Sequence, residues 1–141
     1  MAKRLRFVVE KCTGCHQCEL SCSGMNEGVF TPDRSRIRIF TYPQHTLNIP
    51  YACVQCDEAW CMHACPVQAI RLNPENGVKV LDNKVCVGCK VCTISCPYGT
   101  VVYQPSSGNV VKCDLCEGDE DGPACVASCP TSAIIFEEVS P

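Results

Sequence analysis

Cys86-Val-Gly-Cys-Lys-Val-Cys-Thr-Ile-Ser-Cys-Pro97 sets four cysteines at C-x2-C-x2-C-x3-C spacing and closes on a proline. Cys12, Cys15, Cys18 and Cys22 repeat that spacing, with Ser23 in place of the proline. Cys53, Cys56, Cys61 and Cys65 widen the middle gap to four residues and end in Pro66. Cys113, Cys116, Cys125 and Cys129 widen it to eight and end in Pro130. These four groups use all 16 cysteines of the 141-residue chain. Three thiolates from one short loop can meet three irons of one cube only if the backbone wraps round it. The two-residue gaps allow that wrapping. The fourth cysteine then lies beyond the loop and ligates a neighbouring cluster, so such motifs work in pairs. The pattern predicts four 4Fe–4S clusters. On spacing alone, the third group can pair with either the second or the fourth.

Two other cysteine chemistries compete with this reading. A disulfide framework belongs to secreted chains, and the charged start Met1-Ala-Lys-Arg-Leu-Arg-Phe-Val-Val-Glu10 has no apolar h-region of signal-peptide length. Zinc can be held by paired C-x2-C hooks, but such sites have no use for a third cysteine or a Cys-Pro ending. A zinc-structured, non-redox interaction module is the alternative from another class; iron–sulfur protein is brown and zinc protein colourless. Aromatic residues make up only 6% of the chain, so clusters must stand in for a large aromatic core, and the metal-free chain is expected to be largely unfolded. No apolar run approaches the roughly 20 residues of a membrane span. The formal net charge of −3 becomes more negative once clusters bind, which disfavours nucleic acid. No G-x-G-x-x-G follows a strand, and no cysteine is left over as a nucleophile, so no substrate chemistry is visible.

A repeat emerges when the motifs are aligned. Cys65-Pro-Val-Gln-Ala-Ile-Arg-Leu72, Cys96-Pro-Tyr-Gly-Thr-Val-Val-Tyr103 and Cys129-Pro-Thr-Ser-Ala-Ile-Ile-Phe136 each run from Cys-Pro into a short apolar strand. Turn residues Asn73-Pro-Glu-Asn-Gly77 and Pro105-Ser-Ser-Gly108 follow the first two, each succeeded by a second short run, Val78–Leu81 and Val110–Lys112. These read as hairpins. The building block is loop, short helix, hairpin, and the predicted class is α+β.

His16, His45 and His63 are read as packing or surface residues, because sixteen cysteines already close four sites. Trp60 is expected to shield a cluster from water. Arg34, Arg36 and Arg38 alternate with Ile37 and Ile39, the pattern of a half-buried strand with a solvated basic face. Asp119, Glu120 and Asp121 read as a solvated loop tip.

Cys12-Thr-Gly-Cys-His-Gln-Cys-Glu-Leu-Ser-Cys22, then Ser35-Arg-Ile-Arg-Ile39, then Val54-Gln-Cys-Asp-Glu-Ala-Trp-Cys-Met-His-Ala-Cys-Pro66 resembles the four-cluster electron-transfer subunits of molybdenum and tungsten oxidoreductases. The short form is most similar to the small subunits of tungsten aldehyde oxidoreductases and benzoyl-CoA reductases. Related subunits serve carbon monoxide dehydrogenase, hydrogenase and formate dehydrogenase complexes. The resemblance implies two fused two-cluster ferredoxin-like halves, residues 1–49 with 102–141 and residues 50–101. It implies nested ligation: Cys12, Cys15, Cys18 with Cys129; Cys22 with Cys113, Cys116, Cys125; Cys53, Cys56, Cys61 with Cys96; and Cys65 with Cys86, Cys89, Cys92. It further implies a non-catalytic cytoplasmic subunit that passes single electrons between a large tungsten or molybdenum catalytic subunit and a flavin, NAD or ferredoxin acceptor. Further copies of the chain are additional candidate partners. The long insertions and C-terminal membrane helix of the large family members have no counterpart here, which argues against a quinone-coupled membrane complex.

Overall fold

A residue before proline is pushed out of the helical region. In the computed structural model, which describes residues 2–139, Cys65, Cys96 and Cys129 stand just past short helices with φ between −74° and −68° and ψ between 114° and 117°. In chain order the elements are β1 (Ala2–Phe7), α1 (Gln17–Glu27), β2 (Arg38–Tyr42), β3 (Leu47–Tyr51), α2 (Trp60–Ala64), β4 (Ile70–Leu72), β5 (Lys79–Leu81), α3 (Val91–Ser95), β6 (Val102–Gln104), β7 (Asn109–Val111), α4 (Ala124–Ser128) and β8 (Ile134–Val139). Cys22 precedes Ser23, so α1 runs on to Glu27 and stops at Gly28, a left-handed cap with φ of 72°. Ser23 is fully buried and uses its hydroxyl twice, donating to Leu20 O and accepting from Thr31 N.

The strands form antiparallel two-stranded sheets, β1 with β8, β2 with β3, β4 with β5 and β6 with β7. The class is α+β, as expected. The β4–β5 and β6–β7 hairpins lie where the turn residues put them. The β1–β8 pair was not anticipated: it joins the two ends of the chain, with Leu5 opposite Phe136 and Arg4 opposite Glu137. Arg6 and Lys3 reach Glu137 and Glu138 at 3.1 and 3.8 Å. Those exposed pairs select the register more than they stabilise it.

The helices pack in two pairs, α1 against α4 and α2 against α3. Leu5, Ile37, Ala52, Val78, Leu115 and Ile134 surround Cys18, Cys22 and Cys125 in one apolar cluster. Ala59, Ile70, Val101 and Val110 surround Cys61 and Cys92 in the other. The arginine alternation is corrected by the structure. The strand begins only at Arg38, and Arg36 is mostly buried because its Nη2 meets Glu27 Oε1 at 3.3 Å. Among the described residues, no helix is long and apolar enough to cross a membrane.

Candidate metal centres

Each ligand loop carries its second cysteine just after a left-handed residue: Gly14, Gln55, Gly88 and Leu115, with φ of 73°, 52°, 73° and 57°. That reversal turns the loop back over the space into which the thiols point. Two of the four positions use glycine, where the conformation has no steric cost. Gln55 and Leu115 adopt it with a side chain, and both are buried, so surrounding contacts hold them there.

The side chains then gather as follows. Cys12, Cys15, Cys18 and Cys129 line one cavity with Ile39, Pro50 and Ile134 (first site). Cys22, Cys113, Cys116 and Cys125 line another with Leu5, Ile37 and Arg36 (second site). Cys53, Cys56, Cys61 and Cys96 line a third with Ala59, Val101, Lys79 and Lys112 (third site). The thiol charges felt at Cys92 are, in falling order, those of Cys61, Cys65 and Cys86, and the four cysteines outside the three cavities, Cys65, Cys86, Cys89 and Cys92, are termed the fourth site. All sixteen cysteines are free thiols.

Two classes of thiol differ in their surroundings. Burial pushes Cys18 up to about 12, helped by the neighbouring charge of Glu19, and pushes Cys92 up to about 11, helped by Cys61. Burial drives Cys125 still higher, reinforced by Cys113 and Cys22. Cys65, Cys96 and Cys129 also feel burial, yet donated hydrogen bonds outweigh it and each thiol is lowered. Ala69 N donates to Cys65 Sγ at 3.2 Å and Ala133 N to Cys129 Sγ at 3.3 Å, while Thr100 Oγ1 lies 3.4 Å from Cys96 Sγ. Cys22 receives Arg36 N at 3.3 Å. At Cys65, Cys96 and Cys129 the donated hydrogen bonds favour the thiolate form that a metal ligand needs, and bound metal would do the same for the buried thiols.

The donor sets fit an anionic, sulfur-bound group. The second site supplies a direct test: Arg36 lines its wall, and Arg36 Nε and Nη1 are buried with no hydrogen-bond partner. Buried guanidinium N–H groups facing a thiol-lined cavity suit an acceptor with negative charge. Zinc, by contrast, would draw four thiolates to within about 2.3 Å of one ion.

The remaining expected residues divide. His63 is exposed, and His16 Nδ1 lies 3.3 Å from Glu19 Oε1 at the start of α1. The side chain of His45 lies outside the described residues. Trp60 lines the third site but is 58% exposed, so it forms an edge rather than a shield. It opens α2 next to Cys61, and consecutive helical residues face about 100° apart, so turning Cys61 inward turns Trp60 out. Glu120 and Asp121 are exposed as expected. Sequence reasoning missed the buried polar set of Glu19, Gln55, Lys79 and Lys112. A lysine in a short hairpin strand ordinarily reads as a solvated residue, and nothing nearby signals otherwise.

Residues 44–139 match the 4Fe-4S dicluster domain, and residues 9–27 match a 4Fe-4S binding domain. The chain belongs to the 4Fe-4S dicluster family. It is 39% identical over 121 residues to the polyferredoxin-like subunit of aliphatic sulfonate oxidoreductase from Pyrococcus furiosus, covering 85% of this chain and 67% of that one. It is 35% identical to the electron transport protein HydN of Escherichia coli, covering 92% of this chain and 86% of the relative. Among solved structures, the active site complex BamBC of benzoyl-coenzyme A reductase contains a chain similar over 99% of this one and 82% of its own length, with a TM-score of 0.58 and 28% identity. The resemblance to benzoyl-CoA reductase-type subunits holds in three dimensions. This dicluster-family chain is an iron–sulfur, 4Fe–4S electron-transfer protein.

Proposed function

We propose that this chain is a non-catalytic, cytoplasmic subunit of an oxidoreductase complex, holding one 4Fe–4S cluster in each of its four sites. Nested ligation is part of the proposal: Cys12, Cys15, Cys18 with Cys129; Cys22 with Cys113, Cys116 and Cys125; Cys53, Cys56, Cys61 with Cys96; Cys65 with Cys86, Cys89 and Cys92. The observation that carries it is the gathering of three of these sets round one cavity each, every set drawing one cysteine from a different motif. When bound, each cluster takes up or releases one electron. The protein's part is to order the sites. The Cys125 thiol feels Cys18, that of Cys113 feels Cys53, and that of Cys92 feels Cys61, which supports the sequence first, second, third, fourth site. The two exposed cysteines, Cys15 and Cys89, belong to the first and fourth sites, the two ends of that sequence. Val87 and Ile94 beside the fourth site are 65% and 84% exposed, an apolar rim suited to a protein partner.

The two fused ferredoxin-like halves, residues 1–49 with 102–141 and residues 50–101, are likewise proposed; the pairings of α1 with α4 and of α2 with α3 support them. Val110 of β7 leans on the second half, and Val78 near β5 on the first, so the hairpins clasp the halves together. The proposed partner is a large catalytic subunit of tungsten or molybdenum type; the likeness to a chain of the active site complex BamBC and to a subunit of the sulfonate oxidoreductase supports a catalytic partner, and a flavin, NAD or ferredoxin carrier takes the other end. Anaerobically purified protein should contain about 16 iron and about 16 acid-labile sulfide per chain. Zinc in place of iron, or iron for only two clusters, would overturn the reading. Native purification should bring down a large catalytic subunit covering at least about 1,000 Å².

A further inference from the structure

Two lysines are buried in this protein, and neither has a carboxylate partner. Lys79 and Lys112 are each only 4% exposed, and among the described residues no carboxylate lies within ion-pair distance of either. Lys112 Nζ donates to Lys79 O at 2.8 Å, to Cys113 O at 3.0 Å and to Gln55 Oε1 at 3.5 Å. Lys79 Nζ donates to Gln55 O at 3.3 Å. Gln55 Nε2 in turn donates to Cys113 O at 2.8 Å, and Gln55 Oε1 accepts the Lys79 backbone N–H at 2.9 Å. Every acceptor in this network is neutral. Buried ammonium groups without counter-charge are strongly disfavoured, so something anionic must face them. All three residues line the third site.

The first site is built the other way. Its lining contains no lysine or arginine. Glu19, 6% exposed and next to Cys18, points its Oε1 at the Ile39 N–H at 2.7 Å. At the second site Arg36 is paired with Glu27, which offsets its charge. Reduction adds one electron, one negative charge and no new bond, so fixed positive charge favours it and fixed negative charge opposes it.

We propose that Lys79, Gln55 and Lys112 form a buried cationic bridge that makes the Cys53, Cys56, Cys61 and Cys96 site the most readily reduced of the four, above all relative to the Cys12, Cys15, Cys18 and Cys129 site beside Glu19. An electron supplied by the catalytic partner settles there before it leaves, so the chain has a built-in downhill direction toward its third site. Burial pushes the Cys61 thiol up, and the Lys112 charge is the largest effect opposing it, which accords with this placement.

The inference rests on the cluster reading of the four sites, which iron and sulfide analysis of the unaltered protein tests by itself. The inference is tested by a potentiometric titration followed by electron paramagnetic resonance on the anaerobic holoprotein, with Cys61→Ser identifying the step that belongs to the third site. That step should be the highest in potential. Lys79→Met and Lys112→Met should each lower its reduction equilibrium at least about tenfold, ~59 mV for one electron, and leave the first-site step in place. Lys79→Arg, which keeps the charge, should restore it. Gln55→Glu keeps the shape but sets a negative charge beside the Lys112 ammonium, and should lower the same step. Should the methionine variants fail to load iron, Gln55→Glu decides alone. An unmoved third-site step in the variants that load, or an equal movement of all four steps, would overturn the proposal.

Discussion

At the position before the second cysteine of each loop, the left-handed backbone separates residues that are free to adopt it from residues that are forced to. A Cβ on Gly88 would lie 2.4 Å from Gly108 O, in the turn of the β6–β7 hairpin, and φ there is +73°. Gly108 has the same φ but open space around it. Gly88→Ala should therefore destabilise the holoprotein by more than the strain alone, which is about 1–3 kcal/mol for such a residue, whereas Gly108→Ala should cost only the strain. Paired thermal or denaturant melts of the two variants check this; equal losses would mean that the Gly88–Gly108 approach does not matter. The sixteen cysteines, the turn at Gly108 and the Cys-Pro junctions could be read from the residues, because their chemistry requires a local spacing. Lys79 and Lys112 could not, because what makes them unusual is burial, and burial comes from elements far away in the chain.

Each helix serves two sites. In α1, Cys18 and Cys22 are four residues apart, one helical turn, and face the first and second sites respectively. In α2, α3 and α4 the equivalent pair is a helical cysteine and the one just beyond the end, released from the helix by the following proline. Neighbouring sites are thus tied by a rigid turn of backbone, which is how a short chain keeps them in register. Cys96→Ser gives the element-level test: the spectrum of the cluster held by Cys53, Cys56 and Cys61 should change, while that of Cys86, Cys89 and Cys92 stays nearly as it was. A spectrum matching that of Cys86→Ser would refute the crossing. The helices and the two hairpins were legible as local patterns. The β1–β8 pair was not: Lys3, Arg4 and Arg6 read as a charged terminus, and their partners Glu137 and Glu138 lie more than 130 residues away.

Taken whole, the protein builds its apolar core round its cysteines: Cys18, Cys22 and Cys125 are members of one buried cluster, and Cys61 and Cys92 of the other. Binding metal therefore joins the core itself, and its free energy is folding free energy. Removing iron anaerobically with acid or a strong chelator should abolish the cooperative thermal transition and most of the ordered circular dichroism signal; a cluster-free chain that still melted cooperatively would contradict this. By itself, the amino-acid sequence determined the thiol chemistry, the number of ligand sets, the α+β class and the Cys-Pro ends of α2, α3 and α4, because all of these depend on residues within one motif of one another. Tertiary structure alone decided which motifs face a common cavity, which cysteines reach the surface, and that two lysines and a glutamate lie buried beside different sites. Those features depend on which distant segments pack together, and charge acts through space rather than along the chain.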